Sequence, residues 1–114
     1  MKTLNDISLR DGDRQAIVEA AKILRQNFSV AAVVLFGSTA RGNPDAESDI
    51  DLLVLTDHVL TASERDAAVD SMFDLQLQRN VVISLLIASQ EQWEAGPYRV
   101  LPIRFEIERD GIAA

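Results

Sequence analysis

The sequence has no cysteine and a single histidine, His58. Disulfides, thiolate chemistry and cysteine-zinc sites are thereby excluded, and a multi-histidine metal site with them, so any metal must be held by oxygen. No apolar run approaches the ~18 residues of a membrane span. The opening Met1-Lys2-Thr3-Leu4-Asn5-Asp6 lacks the apolar core of a signal peptide. The expected location is therefore cytoplasmic, with no membrane partner. Basic residues are scarce beside acidic ones, 11 against 18, for a formal net charge of −7. Phosphate backbones are gripped by clustered Lys and Arg, so no direct nucleic-acid binding is expected. An anionic nucleotide would be bound against the overall field, and would need local backbone donors and a counter-cation. Internal repeats, linkers and low-complexity segments are also missing. With 114 residues, the expectation is a single domain over 1–114, large enough for one core but without room for a second substrate-binding lobe.

What is present is a regular alternation of elements. Ile17, Ala20, Ala21, Leu24 and Phe28 recur at three- and four-residue spacing, which predicts an amphipathic helix over 13–28. Val30 to Phe36 is a continuous apolar run rich in β-branched residues, the pattern of a buried central strand. It stops at Gly37-Ser38. Thr39 to Gly42 suits one helical turn, Asn43-Pro44-Asp45 breaks it, and a loop is expected to Ser48. Ile50 to Leu55 reads as a second strand, with Asp49, Asp51, Leu53 and Leu55 on one face and Ile50, Leu52 and Val54 on the other.

Thr61-Ala62-Ser63-Glu64 fits a capping box opening a helix to about Arg79, with Val69, Met72, Phe73 and Leu77 as its apolar stripe. Val81 to Ala88 is a third strand, and Ser89-Gln90-Glu91-Gln92 a second capping box before Trp93, which is expected to be a core or interface anchor. In the tail, Pro102 as a first helical residue and Gly111 as a stop favour a helix over a strand. The order α-β-turn-β-α-β-α describes an α/β (α+β) fold, a small mixed sheet flanked by helices.

Phosphoryl and nucleotidyl transfer depend on holding phosphates in line and neutralising charge on their oxygens. Mg²⁺ takes hard oxygen ligands, so one or two carboxylates suffice when substrate phosphates complete the octahedron. Asp49 and Asp51, two apart on a strand, offer that pair. Gly37-Ser38, where a buried strand turns into a helical segment, offers a tight bend with unpaired N–H groups, and Arg41 one turn on could reach a phosphate oxygen. Taken alone, Gly-Ser is a turn, Asp-x-Asp a solvated surface and Arg41 a surface charge; the combination at this spacing is what carries weight. His58 reads as a loop residue with no partner near it in sequence.

Leu35-Phe36-Gly37-Ser38-Thr39-Ala40-Arg41-Gly42 followed by Ser48-Asp49-Ile50-Asp51-Leu52-Leu53-Val54 resembles the minimal nucleotidyltransferase (MNT) domains of the DNA polymerase beta superfamily. The leading helix, Ser89-x-x-Gln92-Trp93 and the ending Ile107-Glu108-Arg109-Asp110-Gly111-Ile112 are similar as well. The resemblance implies the nucleotidyltransferase fold, Mg²⁺, and transfer of a nucleoside monophosphate, AMP from ATP, with release of pyrophosphate. Gly37, Ser38 and Arg41 would hold the triphosphate, and Asp49 and Asp51 the metal. It also implies a helical HEPN-type toxin as partner, with the chain as antitoxin, in some cases by AMPylation of the toxin's tyrosine.

The resemblance also implies a third carboxylate on the neighbouring strand, as catalytically complete members of that family carry. Here Leu75 to Gln90 contains no Asp or Glu, and the corresponding position falls near Val82 or Ser84. A positioned base is worth ~10²–10⁴-fold in rate. Glu106 and Glu108 could substitute if the tail folds toward the site. Three readings follow: a transferase acting on a partner protein, a nucleotidyltransferase-fold module that neutralises its partner by occlusion, and a small-molecule modifier resembling aminoglycoside enzymes, which would need a homo-oligomer to build its acceptor pocket.

Overall fold

The computed structural model describes residues 1–42 and 49–114. The turn expected at Asn43-Pro44-Asp45 and the loop to Ser48 lie outside the described residues. After β1 (Lys2–Thr3) and a 3₁₀ turn, α1 spans Asp11–Asn27, β2 Val30–Phe36, α2 Gly37–Ala40 and β3 Ile50–Thr56. Then come α3 (Ala62–Ser71), α4 (Phe73–Arg79), β4 (Ile83–Ser89), α5 (Gln90–Glu94), a 3₁₀ turn over Pro97–Val100, α6 (Pro102–Asp110) and β5 (Ile112–Ala113). The five strands form one mixed sheet in the order β1-β5-β2-β3-β4. β2 is antiparallel to both its neighbours, β5 and β3, while β3 and β4 are parallel.

The two-fold side-chain period of the strands splits the core into two layers. Val33, Leu35, Ile50, Leu52, Val54, Ile83 and Ile87 face α1, α3 and α4, meeting Ile17, Ala20 and Leu24 of α1. Leu35 and Leu52 are register partners and fully buried, each contributing about 1.5–3 kcal/mol of apolar burial. On the opposite face Val34 and Leu53 pack with Trp93 and Ile107, and Phe36, Leu55, Leu86, Tyr98 and Ile103 close the edges. The Trp93 and Tyr98 rings lie 5.7 Å apart. Arg104 of α6 donates to the carbonyl oxygens of Trp93 (2.6 Å) and Glu94 (3.2 Å), fixing α6 to the end of α5.

Both capping boxes form: Thr61 Oγ1 accepts the Glu64 N–H and Glu64 Oε1 the Thr61 N–H, and Ser89 and Gln92 do the same. The tail is the expected helix, with Pro102 at its first turn and Gly111 at its cap. Three expectations are corrected. The order gains β1 and β5, which pair the two ends of the chain in parallel, Lys2 with Ile112; two-residue strands have no period to read. The helix expected over 61–79 breaks at Met72, where the Met72 N–H bonds back to Val69 rather than to Ala68. Of its supposed stripe only Met72 is buried; Ala68 and Leu75 complete the inner face, while Val69, Phe73 and Leu77 are exposed. Apolar residues lie on two sides of this helix, so spacing alone does not select the inner one. Finally, His58 does have partners close in sequence: its ring nitrogens lie 2.6 Å from Asp57 Oδ1 and 3.4 Å from Glu64 Oε2, and these carboxylates raise its pKa.

Candidate active site

The antiparallel pairing of β2 and β3 brings the two halves of the motif together. β2 ends where β3 begins, so Phe36 stands opposite Asp51, and Gly37 follows immediately beside it. Gly37 has φ +76, a left-handed conformation that glycine alone adopts freely. Its Cα presses so closely on the aspartate that a β-carbon built there would lie 2.6 Å from Asp51 Oδ2. The turn and the carboxylate are thus in contact, although 14 positions separate them in the chain.

α2 starts at Gly37 with no side-chain cap, since Phe36 in the capping position has no acceptor to offer. The first N–H groups of a helix have no partner within it, which suits an anion at this turn. Thr39 was not singled out from the sequence, yet it is buried, and its hydroxyl donates to the Asp49 carbonyl oxygen at 3.1 Å. That bond ties α2 to the residue leading into β3 and so sets where Asp49 sits; a hydroxyl one residue after Ser38 carries no sequence signal that distinguishes it.

Asp49 is exposed and Asp51 half-buried. Burial, then the charge of Asp49, pushes the Asp51 carboxyl above its ordinary 3.8. Two carboxylates held near each other against their own repulsion are a donor set that a hard divalent cation would relieve. Among the described residues there is no group of three His, Cys, Asp or Glu side chains placed to hold a metal. The parallel register of β3 and β4 sets Ser84, exposed, directly beside Asp51. Of the two positions expected for a third acid, 84 is the register partner of Asp51, and a serine stands there.

Arg41 does not stand free. Its Nη1 donates to Glu106 Oε1 of α6 at 2.8 Å, both side chains being about half-exposed. The tail therefore folds toward this end of the sheet, as the candidacy of Glu106 required. Glu108 is instead bonded to Arg104. Past the end of α2 a cavity of about 720 Å³, lined by Lys2, Arg41, Gly42 and Asp110 among others, adjoins Arg41 without including either aspartate. No helix among the described residues is long and apolar enough to cross a membrane.

A family model described as "Nucleotidyltransferase domain" matches residues 17–111. The Methanocaldococcus jannaschii protein named "Putative protein adenylyltransferase MJ0604" is 33% identical over 81 residues, covering 69% of this chain and 76% of that protein. A second from the same organism, "Putative protein adenylyltransferase MJ0141", is 32% identical over 77 residues, covering 62% and 78%. Among solved structures, one described as a toxin-antitoxin with AMP-PNP superposes with a TM-score of 0.59 at 20% identity, over 91% of this chain and 72% of that one. A complex of a tri-AMPylated Shewanella oneidensis HEPN toxin with its MNT antitoxin gives 0.54 at 18% identity, over 88% and 69%. These two establish a shared fold. The sequence match over most of the chain, with the aspartate strand packed on the glycine turn, establishes more: the chain belongs to the nucleotidyltransferase domain family.

Proposed function

We propose that the chain is a Mg²⁺-dependent nucleotidyltransferase that moves AMP from ATP to a hydroxyl of a partner protein, a helical HEPN-type toxin to which it acts as antitoxin in the cytoplasm. The observation that carries this is the contact of Gly37 with Asp51, because a phosphate bound at the Gly37 turn would then lie beside the Asp49 and Asp51 carboxylates. In support, the relatives in sequence bear the name of protein adenylyltransferases, and the structural neighbours include an AMPylated toxin complex. Gly37 and Ser38 would bind the triphosphate through N–H groups and the Ser38 hydroxyl, and Asp49 and Asp51 would hold the metal. When bound, Mg²⁺ neutralises phosphate charge and fixes the phosphates for in-line attack. The acceptor oxygen forms a bond to the α-phosphorus as the bond to the β-phosphate oxygen breaks; pyrophosphate leaves and the acceptor loses its proton. Labelled ATP, Mg²⁺ and the protein encoded beside this chain test it: transfer of label to that protein is expected, and equal labelling by Asp51→Asn would refute the metal role.

Ser84 favours a second reading, an occluding module with a vestigial site, since no acid stands beside Asp51 on β4. Ser84→Asp should lower the melting temperature of the metal-free protein by adding a third like charge, and tighten Mn²⁺ or Mg²⁺ binding by roughly tenfold. A variant whose metal affinity does not change would mean that this row of side chains is not a metal site.

The Arg41–Glu106 pair makes a further prediction. Half-exposed ion pairs of this kind contribute only about 0–1 kcal/mol to stability, so Glu106→Gln should melt close to wild type. By releasing Arg41 to the phosphates it should tighten triphosphate binding, roughly two- to fivefold by calorimetry. Weaker binding in this variant would instead assign Glu106 to the site itself.

A further inference from the structure

α3 and α4 bury one side and leave the opposite side apolar. Ala68, Met72 and Leu75 face the core, whereas Val69, Phe73 and Leu77 are 56%, 61% and 68% exposed. At 100° per residue, Val69 lies about 100° round the axis from Ala68 in α3 and Leu77 about 160° from Leu75 in α4, so the outer set faces away from the core. Nothing in the folding of this chain requires the outer set. Each of its members is also preceded three residues earlier by an aspartate: Asp66 before Val69, Asp70 before Phe73, Asp74 before Leu77. Residues at i and i+3 are surface neighbours on a helix, which sets Asp66 beside Val69 in α3 and Asp74 beside Leu77 in α4, while Asp70 and Phe73 flank the break at Met72, so the outer face is a ladder of apolar side chains and carboxylates. All three aspartates are exposed, and none forms an ion pair among the described residues. The ladder runs over α3 and α4, about 16 Å at the rise of an α-helix.

We infer that this outer face is a docking surface for a basic amphipathic helix of a partner protein, one that presents apolar residues at i, i+4 and i+8 with Lys or Arg beside them. Charge complementarity selects the occupant. Unpaired carboxylates on every rung, in a chain of net charge −7, attract a cationic helix and repel a second copy of the same ladder or an anionic membrane surface. An apolar row read at four-residue intervals is matched by a helix laid along it. The inference rests on the proposal that this chain binds a helical protein, and adds where and by what chemistry; it does not depend on nucleotidyl transfer. The face lies across the sheet from the one that carries Asp51, so a helix docked here leaves the turn at Gly37 open to another part of the same partner.

The test uses a designed helical peptide with Leu at i, i+4 and i+8 flanked by Lys, and its counterpart with every Lys replaced by Glu, titrated against the full chain by fluorescence anisotropy. The Lys peptide is expected to bind, more weakly at 500 mM than at 50 mM NaCl, and the Glu peptide not to bind. Phe73→Ser and the triple Asp66→Asn, Asp70→Asn, Asp74→Asn variant should each lose about tenfold or more in affinity, with unchanged melting temperature because the residues are exposed. Mg²⁺-dependent ATP uptake, measured on the same Phe73→Ser sample, should be unaffected. Peptide binding without ATP uptake would uphold the surface and sink the transfer proposal; ATP uptake without peptide binding would do the reverse. Equal binding by Phe73→Ser, self-association abolished by Phe73→Ser, or binding of the wild-type face to anionic vesicles would each overturn the inference.

Discussion

Asp51→Asn is expected to make the ligand-free protein more stable and to remove its metal-dependent chemistry. The Asp51 carboxyl is half-buried against Gly37, and burial together with Asp49 lifts its pKa above 3.8. The folded chain therefore holds this proton more tightly than the unfolded chain. Its favourable contribution is complete below 3.8 and is lost as pH rises through the raised folded value. At neutral pH the wild type carries a desolvated charge facing a like charge, which asparagine does not. The melting temperature of the variant should thus exceed that of wild type at pH 7, with the gap closing as pH falls below 3.8. Mg²⁺ with ATP should raise the melting temperature of wild type only, and nucleotidyl transfer should fall by at least about 10²-fold in the variant. Identical melting curves at pH 7, with and without Mg²⁺ and ATP, would contradict this.

Gly37→Ala should be as damaging to the site for a different reason. At φ +76 an L-residue costs about 1–2 kcal/mol, and the new methyl group would lie 2.6 Å from Asp51 Oδ2. A carboxylate is the far end of a side chain, so the clash is relieved by turning Asp51 away. The protein should fold, with moderate destabilisation, and lose triphosphate binding or transfer by about 10²-fold or more. Gly42→Ala is the matched control: its φ is +75, but among the described residues nothing lies within 4 Å of the added methyl. It should incur the same backbone cost in chemical denaturation and keep activity. If both variants lose activity alike, strain in the segment, not the approach to Asp51, is what matters.

The contrast between Gly37 and Arg41 shows what the sequence could reveal. Gly37 and Asp51 come together through a single antiparallel strand pair, so the run into Gly37 and the alternation from Asp49 to Leu55 are enough to place them side by side. Both capping boxes were legible for the same reason, since each is a bond between residues three apart. Arg41 with Glu106 joins residues 65 apart, and Lys2 with Ile112 joins the two ends of the chain; no local pattern encodes such meetings. The place of a third acid is narrowed by the sequence to two alternate positions on one face, and only the register of β4 shows that 84 is the one paired with Asp51. The outer face of α3 and α4 misled because a row of exposed apolar side chains has the same spacing as a buried one.

The most direct test is calorimetric titration of the full chain with ATP, in Mg²⁺ and again in EDTA. A metal site at Asp49 and Asp51 facing a phosphate turn at Gly37-Ser38 predicts saturable uptake of one ATP per chain in Mg²⁺ and none in EDTA. Uptake of the same strength in EDTA, or no uptake in either, would contradict it.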